Sequence, residues 1–207
     1  MKQGCWILVG VFAASLTVSA SPIDTTVLQQ PWPRQRVREL EVGRYDVRWR
    51  EAASRKDGIF AGVQFRAPRE RTRVWELAND YTDLGSLTPG VRAVTFLERT
   101  PTRQVIQIDM KVLWKTIRLI FEVEQAPPRM VQFQLVNKEF GDYRGLCTFD
   151  EVSTVPVHGA QGKQTAVELM TWLKPNRPVP MGLLLLVERM TLLQGVKGFL
   201  RSCESTT

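Results

Sequence analysis

Few residues of this 207-residue sequence have the types and spacing that catalysis or metal binding requires. His158 is the only histidine, and its segment VPVHGAQG is bounded by Pro and Gly, so we expect a surface side chain rather than a general base. Cys147 and Cys203 stand alone, without the Cys/His spacing of a zinc site. Neither a phosphate-binding glycine loop nor a nucleophile elbow is present. The sequence therefore predicts no metal ion, no cofactor and no assigned catalytic residue.

The first twenty residues have the three-part layout of a secretory signal peptide. A basic N-terminus precedes an apolar run from Cys5 to Val18 and the small-residue sequence VSA, which ends at Ala20. This run is short for a membrane span. We predict that residues 1–20 are removed and that the protein is periplasmic or extracellular; the alternative is an uncleaved anchor. Export permits a disulfide between Cys147 and Cys203, which are otherwise two free thiols.

Basic residues outnumber acidic ones, and the formal net charge is +7. Most of the excess lies between Arg34 and Arg73, which we call the basic 34–73 region. An exported protein is not expected to meet nucleic acid, so an anionic membrane surface is the better candidate partner. The alternative is an ordinary solvated face.

The chain begins with segments of different character. Residues 21–40 hold three prolines and little periodicity, which is typical of a linker or a loosely attached arm. Period-two alternation begins at Tyr45, and the turn sequence SRKDG leads to a second strand at Ile59, so a hairpin is predicted. The predicted organisation is a signal peptide at 1–20, an arm or linker at 21–42, a domain at 43–204 and a tail at 205–207.

Residues 72–91 predict a helix that is interrupted. Val74, Leu77, Ala78 and Tyr81 recur at three-to-four spacing, which indicates one short amphipathic helix. An Asn-Asp pair then offers side chains that turn the backbone, and a Pro-Gly pair ends the second piece. We predict two short helices joined at an angle.

The remainder predicts an antiparallel sheet followed by one long helix. Even-numbered residues are apolar from Ile106 to Trp114 and odd-numbered ones from Ile117 to Val123, so a turn or bulge is expected at Lys115–Thr116. We expect Asp109, out of phase, to face away from the interior. About seven strands in meander order result. The final helix has an apolar stripe at Leu186, Met190, Leu193, Val196 and Leu200, widened by Leu185, Leu192, Phe199 and Cys203, with Glu188, Thr191, Lys197 and Arg201 off it.

These elements form an α+β arrangement in which a curved sheet grips its terminal helix and two short helices close one end. The sequence resembles the START-like (SRPBCC) superfamily of helix-grip proteins, and within it the polyketide cyclase/dehydrase and coenzyme Q-binding group. The resemblance covers about Gly58 to Glu204 and is carried by APRERTRVWELANDYTDLGSLTPGV, KTIRLIFEVEQAPPRMVQFQLV, YRGLCTFDEV and the closing helix. It implies a cavity between sheet and helix that holds a lipid, sterol, isoprenoid or polyaromatic ligand.

A monomeric carrier or sensor of a hydrophobic molecule is therefore the first hypothesis. Trp75 and Tyr81 would lie near the mouth of the cavity or plug the end of a dry core. For the other residues plain core packing is the alternative. The predicted lining residues are Ile106, Ile108, Met110, Val112, Phe121, Val123, Phe133, Cys147 and Leu169 on the sheet, with Leu185, Met190, Leu193 and Val196 on the helix.

Two further hypotheses stay open. One is an enzyme of the cyclase or dehydratase type, for which the polar candidates are Tyr81, Asp83, Tyr143 and Arg144. The other is a protein-interaction module with a filled core. The scarcity of catalytic motifs weakens the enzyme hypothesis without removing it.

Overall fold

The structure is a computed structural model that describes residues 22–81, 90–112, 115–152 and 163–205. The strands are β1 (Arg36–Val42), β2 (Tyr45–Ser54), β3 (Gly58–Ala67), β4 (Val91–Arg99), β5 (Arg103–Val112), β6 (Lys115–Ala126), β7 (Met130–Leu135), β8 (Gly141–Val152) and β9 (Gln164–Pro175). The helices of the described part are α1 (Thr26–Gln29), α2 (Arg71–Ala78) and α3 (Met181–Ser205).

All nine strands belong to one antiparallel sheet with the order β1-β2-β3-β9-β8-β7-β6-β5-β4. Strands β4 to β9 form one meander and β1 to β3 another, and the two are joined where β3 pairs with β9. The last strand is therefore an inner strand, the fourth of nine in the order, and α3 packs back across the concave face. This confirms the helix-grip fold, with nine strands instead of about seven.

Residues 21–42, predicted to be a linker or a loosely attached arm, belong to the folded structure from residue 22 onwards. Leu28 and Trp32 are buried, and the Trp32 ring centroid lies 5.5 Å from that of Phe60 on the convex face. Strand β1 pairs with β2 along its whole length. The arginines of β1 make its sequence look polar throughout, although its side chains alternate between the two faces and Leu40 packs against the main core. This weak alternation identifies a strand only when the pairing with β2 is known.

The turn between β5 and β6 differs from the prediction by about two residues. Val112 pairs with Lys115, so Lys115 and Thr116 are part of the ladder and not of a turn. Residues 113–114, which include Trp114, lie outside the described residues. Directly opposite pairs such as Ile106 and Phe121 share the concave face, which explains the predicted change from even to odd numbering.

Both predicted helices that can be compared are present. Helix α2 ends at Ala78, and the side-chain amide of the C-cap residue Asn79 donates to the Trp75 carbonyl at 2.8 Å. The second short helix was predicted at residues that lie outside the described part of the chain. Helix α3 confirms the long terminal helix. None of the described helices is both long and apolar enough to cross a membrane.

Candidate functional site

Three aromatic side chains stand together on the concave face. Phe121, Phe133 and Tyr143 have ring centroids 6.0–6.2 Å apart, and we call them the aromatic trio. Gly145 is opposite Phe133 in the β7–β8 ladder, and a Cβ there would lie 1.9 Å from the Phe133 ring. The absence of a side chain at Gly145 thus allows the ring to lie against the backbone of β8.

The two halves of α3 meet the sheet differently. In the C-terminal half, Val196, Leu200 and Cys203 are buried. The helix approaches β3 most closely, and β2, β1 and α2 are its other main neighbours. In the N-terminal half, from Met181 to Gly195, no side chain is fully buried. This half therefore covers the concave face less tightly.

Several side chains beneath the N-terminal half are desolvated and yet keep accessible surface. Burial raises the pKa of the Cys147 thiol to about 12 and that of the Tyr143 phenol well above its usual range. Both residues are nevertheless only half-buried. Side chains that lie beneath a helix and still keep accessible surface are not closely covered by it, so space remains between the helix and the sheet. We infer such a space, called the hollow, between the N-terminal half of α3 and the aromatic trio, Cys147 and Leu169.

One carboxyl group enters this region from the helix. The Oε1 atom of Glu188 accepts hydrogen bonds from the Tyr143 hydroxyl at 2.8 Å and from the Thr171 hydroxyl at 2.7 Å. Burial raises the pKa of Glu188 above its usual range, although the two hydrogen bonds oppose the shift. Thr171 and Gly145 are opposite one another in the β8–β9 ladder, so this cluster adjoins the aromatic trio.

The end of α2 lies beside the same interior. Trp75 and Tyr81 pack against the main core, and the Tyr81 ring is 6.5 Å from that of Phe96. Burial raises the pKa of Tyr81, Cys147 adds to the shift, and a hydrogen bond with Gln125 opposes it. Whether Trp75 and Tyr81 border a cavity mouth or plug the end of a packed core stays a prediction.

Two surface clefts lined by described residues lie elsewhere. The first, of about 420 Å³, runs between α2 and the turn before β5 and is lined in part by Trp75, Asn79 and Gln104. The Trp75 indole nitrogen and the Gln104 carbonyl oxygen are buried there without a hydrogen-bond partner. The second cleft, of about 370 Å³, lies on the convex side beside Trp32 and Arg50.

Most of the predicted lining residues share the concave face or the helix surface toward it. The fully buried ones are Ile106, Ile108, Val123 and Val196. The half-buried ones are Trp75, Tyr81, Met110, Phe121, Phe133, Cys147, Leu169, Leu185 and Leu193. The side chain of Val112 lies outside the described part. Contact between these residues and a ligand stays a prediction.

Met190 does not line the interior as predicted, because its side chain is 54% exposed. Leu183, Leu186 and Val187 are also 51–53% exposed, and we call these four residues the exposed apolar row. Glu188, predicted off the apolar stripe, faces the sheet instead. Apolar residues occur on all sides of this half of α3, so the apolar pattern alone does not determine how the helix is rotated about its axis. The hydrogen bonds of Glu188 to Tyr143 and Thr171 determine that rotation.

The polar residues proposed for an enzyme are not brought together. Tyr81 and Tyr143 both face the interior, whereas Arg144 lies on the convex side and donates to the Asp24 backbone carbonyl at 2.7 Å. Asp83 and His158 lie outside the described residues. Asp109 faces away from the interior as predicted and pairs with Arg118 at 3.1 Å.

The sulfur and carboxylate groups form no metal centre in the described ranges. Cys147 and Cys203 are both free thiols, on β8 and in the last turns of α3. Cys147 and Cys203 therefore do not form a disulfide in this structure.

Sequence reasoning missed Glu188 and Thr171 as site residues. Thr171 lies two residues after Leu169 on a predicted strand, so strand alternation could have placed its side chain on the same face. Glu188 carried no comparable signal, since a glutamate on a surface helix normally faces solvent.

Comparison with protein families gives one match. The profile of the family described as polyketide cyclase/dehydrase and lipid transport matches residues 67–199. No curated protein matches the sequence significantly.

Solved structures that share the fold have low sequence identity. A STAR-related lipid transfer protein from Xanthomonas axonopodis is 15% identical with a TM-score of 0.62, over 83% of this chain and 99% of that one. A START superfamily protein from Mycobacterium smegmatis is 13% identical with a TM-score of 0.59, over 72% and 99% of the two chains. The Zhui aromatase/cyclase from Streptomyces sp. R1128 is 14% identical with a TM-score of 0.58, over 70% and 93%. At these identities the similarity establishes the fold alone.

Proposed function

This chain belongs to the polyketide cyclase/dehydrase and lipid transport family, within the START-like superfamily, and we propose that it binds and carries a hydrophobic molecule in the hollow. The observation that carries the proposal is the set of desolvated but accessible side chains beneath the N-terminal half of α3. A ligand that buries about 300 Å² of apolar surface would gain about 7 kcal/mol at roughly 25 cal/mol per Å², before ordering costs are subtracted.

Binding of N-phenyl-1-naphthylamine, an apolar probe whose fluorescence rises in a dry site, tests this proposal. We expect saturable binding by the wild-type protein and a large loss of affinity in Cys147→Phe, because the added ring would occupy the hollow. Thr148→Phe is the matched control, since it adds the same ring to the opposite face of β8. Equal binding by both variants would contradict a site in the hollow. Native mass spectrometry of the purified protein then identifies any copurified lipid.

An enzyme of the cyclase or dehydratase type is the second candidate function. It is favoured by the hydrogen bond between Tyr143 and Glu188, because a carboxyl group with a raised pKa beside a phenol is suited to proton transfer. If a copurified ligand is converted by the wild-type protein and left unchanged by Tyr143→Phe or Tyr81→Phe, the enzyme replaces the carrier.

We also propose a peripheral contact between an anionic membrane and the basic 34–73 region. Arg34, Arg36, Arg55, Lys56 and Arg66 are exposed there. Several other arginines of the region are in ion pairs with glutamates, which reduces the attraction. Sedimentation with vesicles that contain phosphatidylglycerol should decrease as salt increases, and binding that ignores salt or lipid charge would contradict the proposal.

Export and a monomeric state complete the proposal. The support is the sequence of residues 1–20, with its apolar run and small-residue cleavage signal. Intact-mass measurement of the secreted protein should give a chain that begins at Ser21, and light scattering should give one chain per particle. Retention of the N-terminal segment would favour the membrane anchor instead.

A further inference from the structure

We propose that Glu188, Tyr143 and Thr171 form a polar anchor that holds the hydroxyl group of an otherwise apolar ligand. The inference rests on the proposed function, because it names the polar group of the molecule that the hollow would bind. The other residues that define the hollow are Phe121, Phe133, Leu169 and Cys147, whose thiol is only a weak hydrogen-bonding group, so a single strong polar contact would fix the orientation of the ligand.

The first argument is the contrast with other carboxylates in the structure. Glu122 is buried and paired with Arg103 at 2.8 Å. Glu51 is buried, lies 3.8 Å from Arg38 and also accepts a hydrogen bond from Trp49 at 2.8 Å. These two carboxylates have a cationic neighbour that compensates their burial.

Glu188 has no such cationic neighbour among the residues that the structure describes. Within the described ranges its contacts are the two hydroxyl groups of Tyr143 and Thr171, and both bind Oε1. Its second oxygen, Oε2, forms no hydrogen bond to the described residues. A half-buried carboxyl group with one oxygen fully engaged and the other unengaged offers a directed site for one polar ligand atom.

The unengaged oxygen also selects the chemical class. A protonated carboxyl group donates from Oε2, and an ionised one accepts there. A hydroxyl group can both donate and accept, so it matches Oε2 in either state. A carbonyl oxygen matches only the protonated form and an ammonium group only the ionised form, so of these three groups the hydroxyl is the one that fits Oε2 whether or not Glu188 is protonated. Long-chain or polycyclic alcohols and phenols are therefore the class that fits.

The test compares two probes of nearly the same shape, 2-naphthol and 2-methylnaphthalene, through their displacement of N-phenyl-1-naphthylamine. The measured quantity is the ratio of the two dissociation constants, because the ratio cancels differences in hollow size. Glu188→Leu should shift this ratio about tenfold against 2-naphthol, as expected when a buried hydrogen bond to a carboxyl group is lost. Glu188→Gln, which keeps an amide able to donate and accept, should stay within about threefold of the wild-type ratio.

Gln194→Leu is the matched control, since it removes a polar group from an exposed position of the same helix and should leave the ratio unchanged. Thr171→Val and Tyr143→Phe each remove one of the two hydrogen bonds to Oε1 of Glu188. They test the anchor through the same ratio if Glu188→Leu does not fold. A ratio that none of these variants changes, in a protein that still binds both probes, overturns the anchor and leaves the proposed function intact. Failure of the wild-type protein to bind any of the three probes overturns the proposed function and the anchor with it.

Discussion

The two halves of α3 differ in what they do with the same kind of sequence. The C-terminal half buries Val196, Leu200 and Cys203 against α2 and strands β1 to β3. The N-terminal half buries no side chain fully, exposes an apolar row to solvent and turns a glutamate inward. The C-terminal half of the helix thus contributes most of the close packing, whereas the N-terminal half packs loosely against the sheet. With the proposed function, stability and binding would be divided along a single helix.

The largest expected effect distinguishes the halves by stability. Leu200→Ala should lower the free energy of unfolding by about 2–5 kcal/mol, because Leu200 is only 2% exposed and a cavity would remain. Leu186→Ala, the same substitution in the exposed apolar row, should cost about 0.5 kcal/mol or less. Urea unfolding followed by circular dichroism measures both. Equal losses would remove the basis for the comparison.

The next largest effect is expected from alanine substitution of two glycines, Gly145 on the concave face of the sheet and Gly62 on the convex face. Gly145→Ala should destabilise by about 1–3 kcal/mol and weaken probe binding, because the new methyl group would push the Phe133 ring into the hollow. Gly62→Ala is the control on the convex face, where a Cβ would lie 2.8 Å from the Trp32 ring. It should destabilise to a similar extent and leave probe affinity unchanged. Equal losses of probe affinity in both variants would mean that Phe133 does not border the binding space.

The inward glutamate makes the N-terminal half sensitive to pH. Burial raises the pKa of Glu188, so as pH rises the unfolded chain loses this proton at a lower pH than the folded protein does. This contribution to stability is fully present below the unfolded pKa and is lost as pH rises through the raised folded value. We expect wild-type stability to fall across that window and Glu188→Gln to show a flatter profile. Parallel profiles from urea unfolding at a series of pH values would argue that Glu188 titrates normally.

The smallest expected effect concerns the exposed apolar row. The double substitution Leu186→Ser and Met190→Ser should change the free energy of unfolding by no more than about 0.5 kcal/mol, since both side chains are already more than half exposed. Retention on a hydrophobic-interaction column should decrease, whereas Gln194→Ser should leave it unchanged. A marked loss of stability would indicate that the row packs against something in solution.

The sequence predicted the tightly packed half of the helix better than the open half. Val196, Leu200 and Cys203 fall at regular spacing among polar residues, so one rotation of the helix buries them all. From Leu183 to Val187 the chain is apolar in every direction, and only Tyr143 and Thr171, which are distant in sequence, fix which side turns inward. Strand β1 was missed for a related reason, because its partner strand and not its own composition makes it a strand.

The packing of α3 determines which first and last residues are suitable for a recombinant fragment of this protein. The family profile ends at residue 199 and begins at residue 67, the last residue of β3. A fragment trimmed to those limits would discard β1, β2 and nearly all of β3, which are the surfaces that hold the second half of the helix, and would also remove Leu200 and Cys203. Such a fragment should be insoluble even though it contains the whole segment that the family profile matches. Expression boundaries near residues 22 and 205 would keep the two halves of the helix together with their supports.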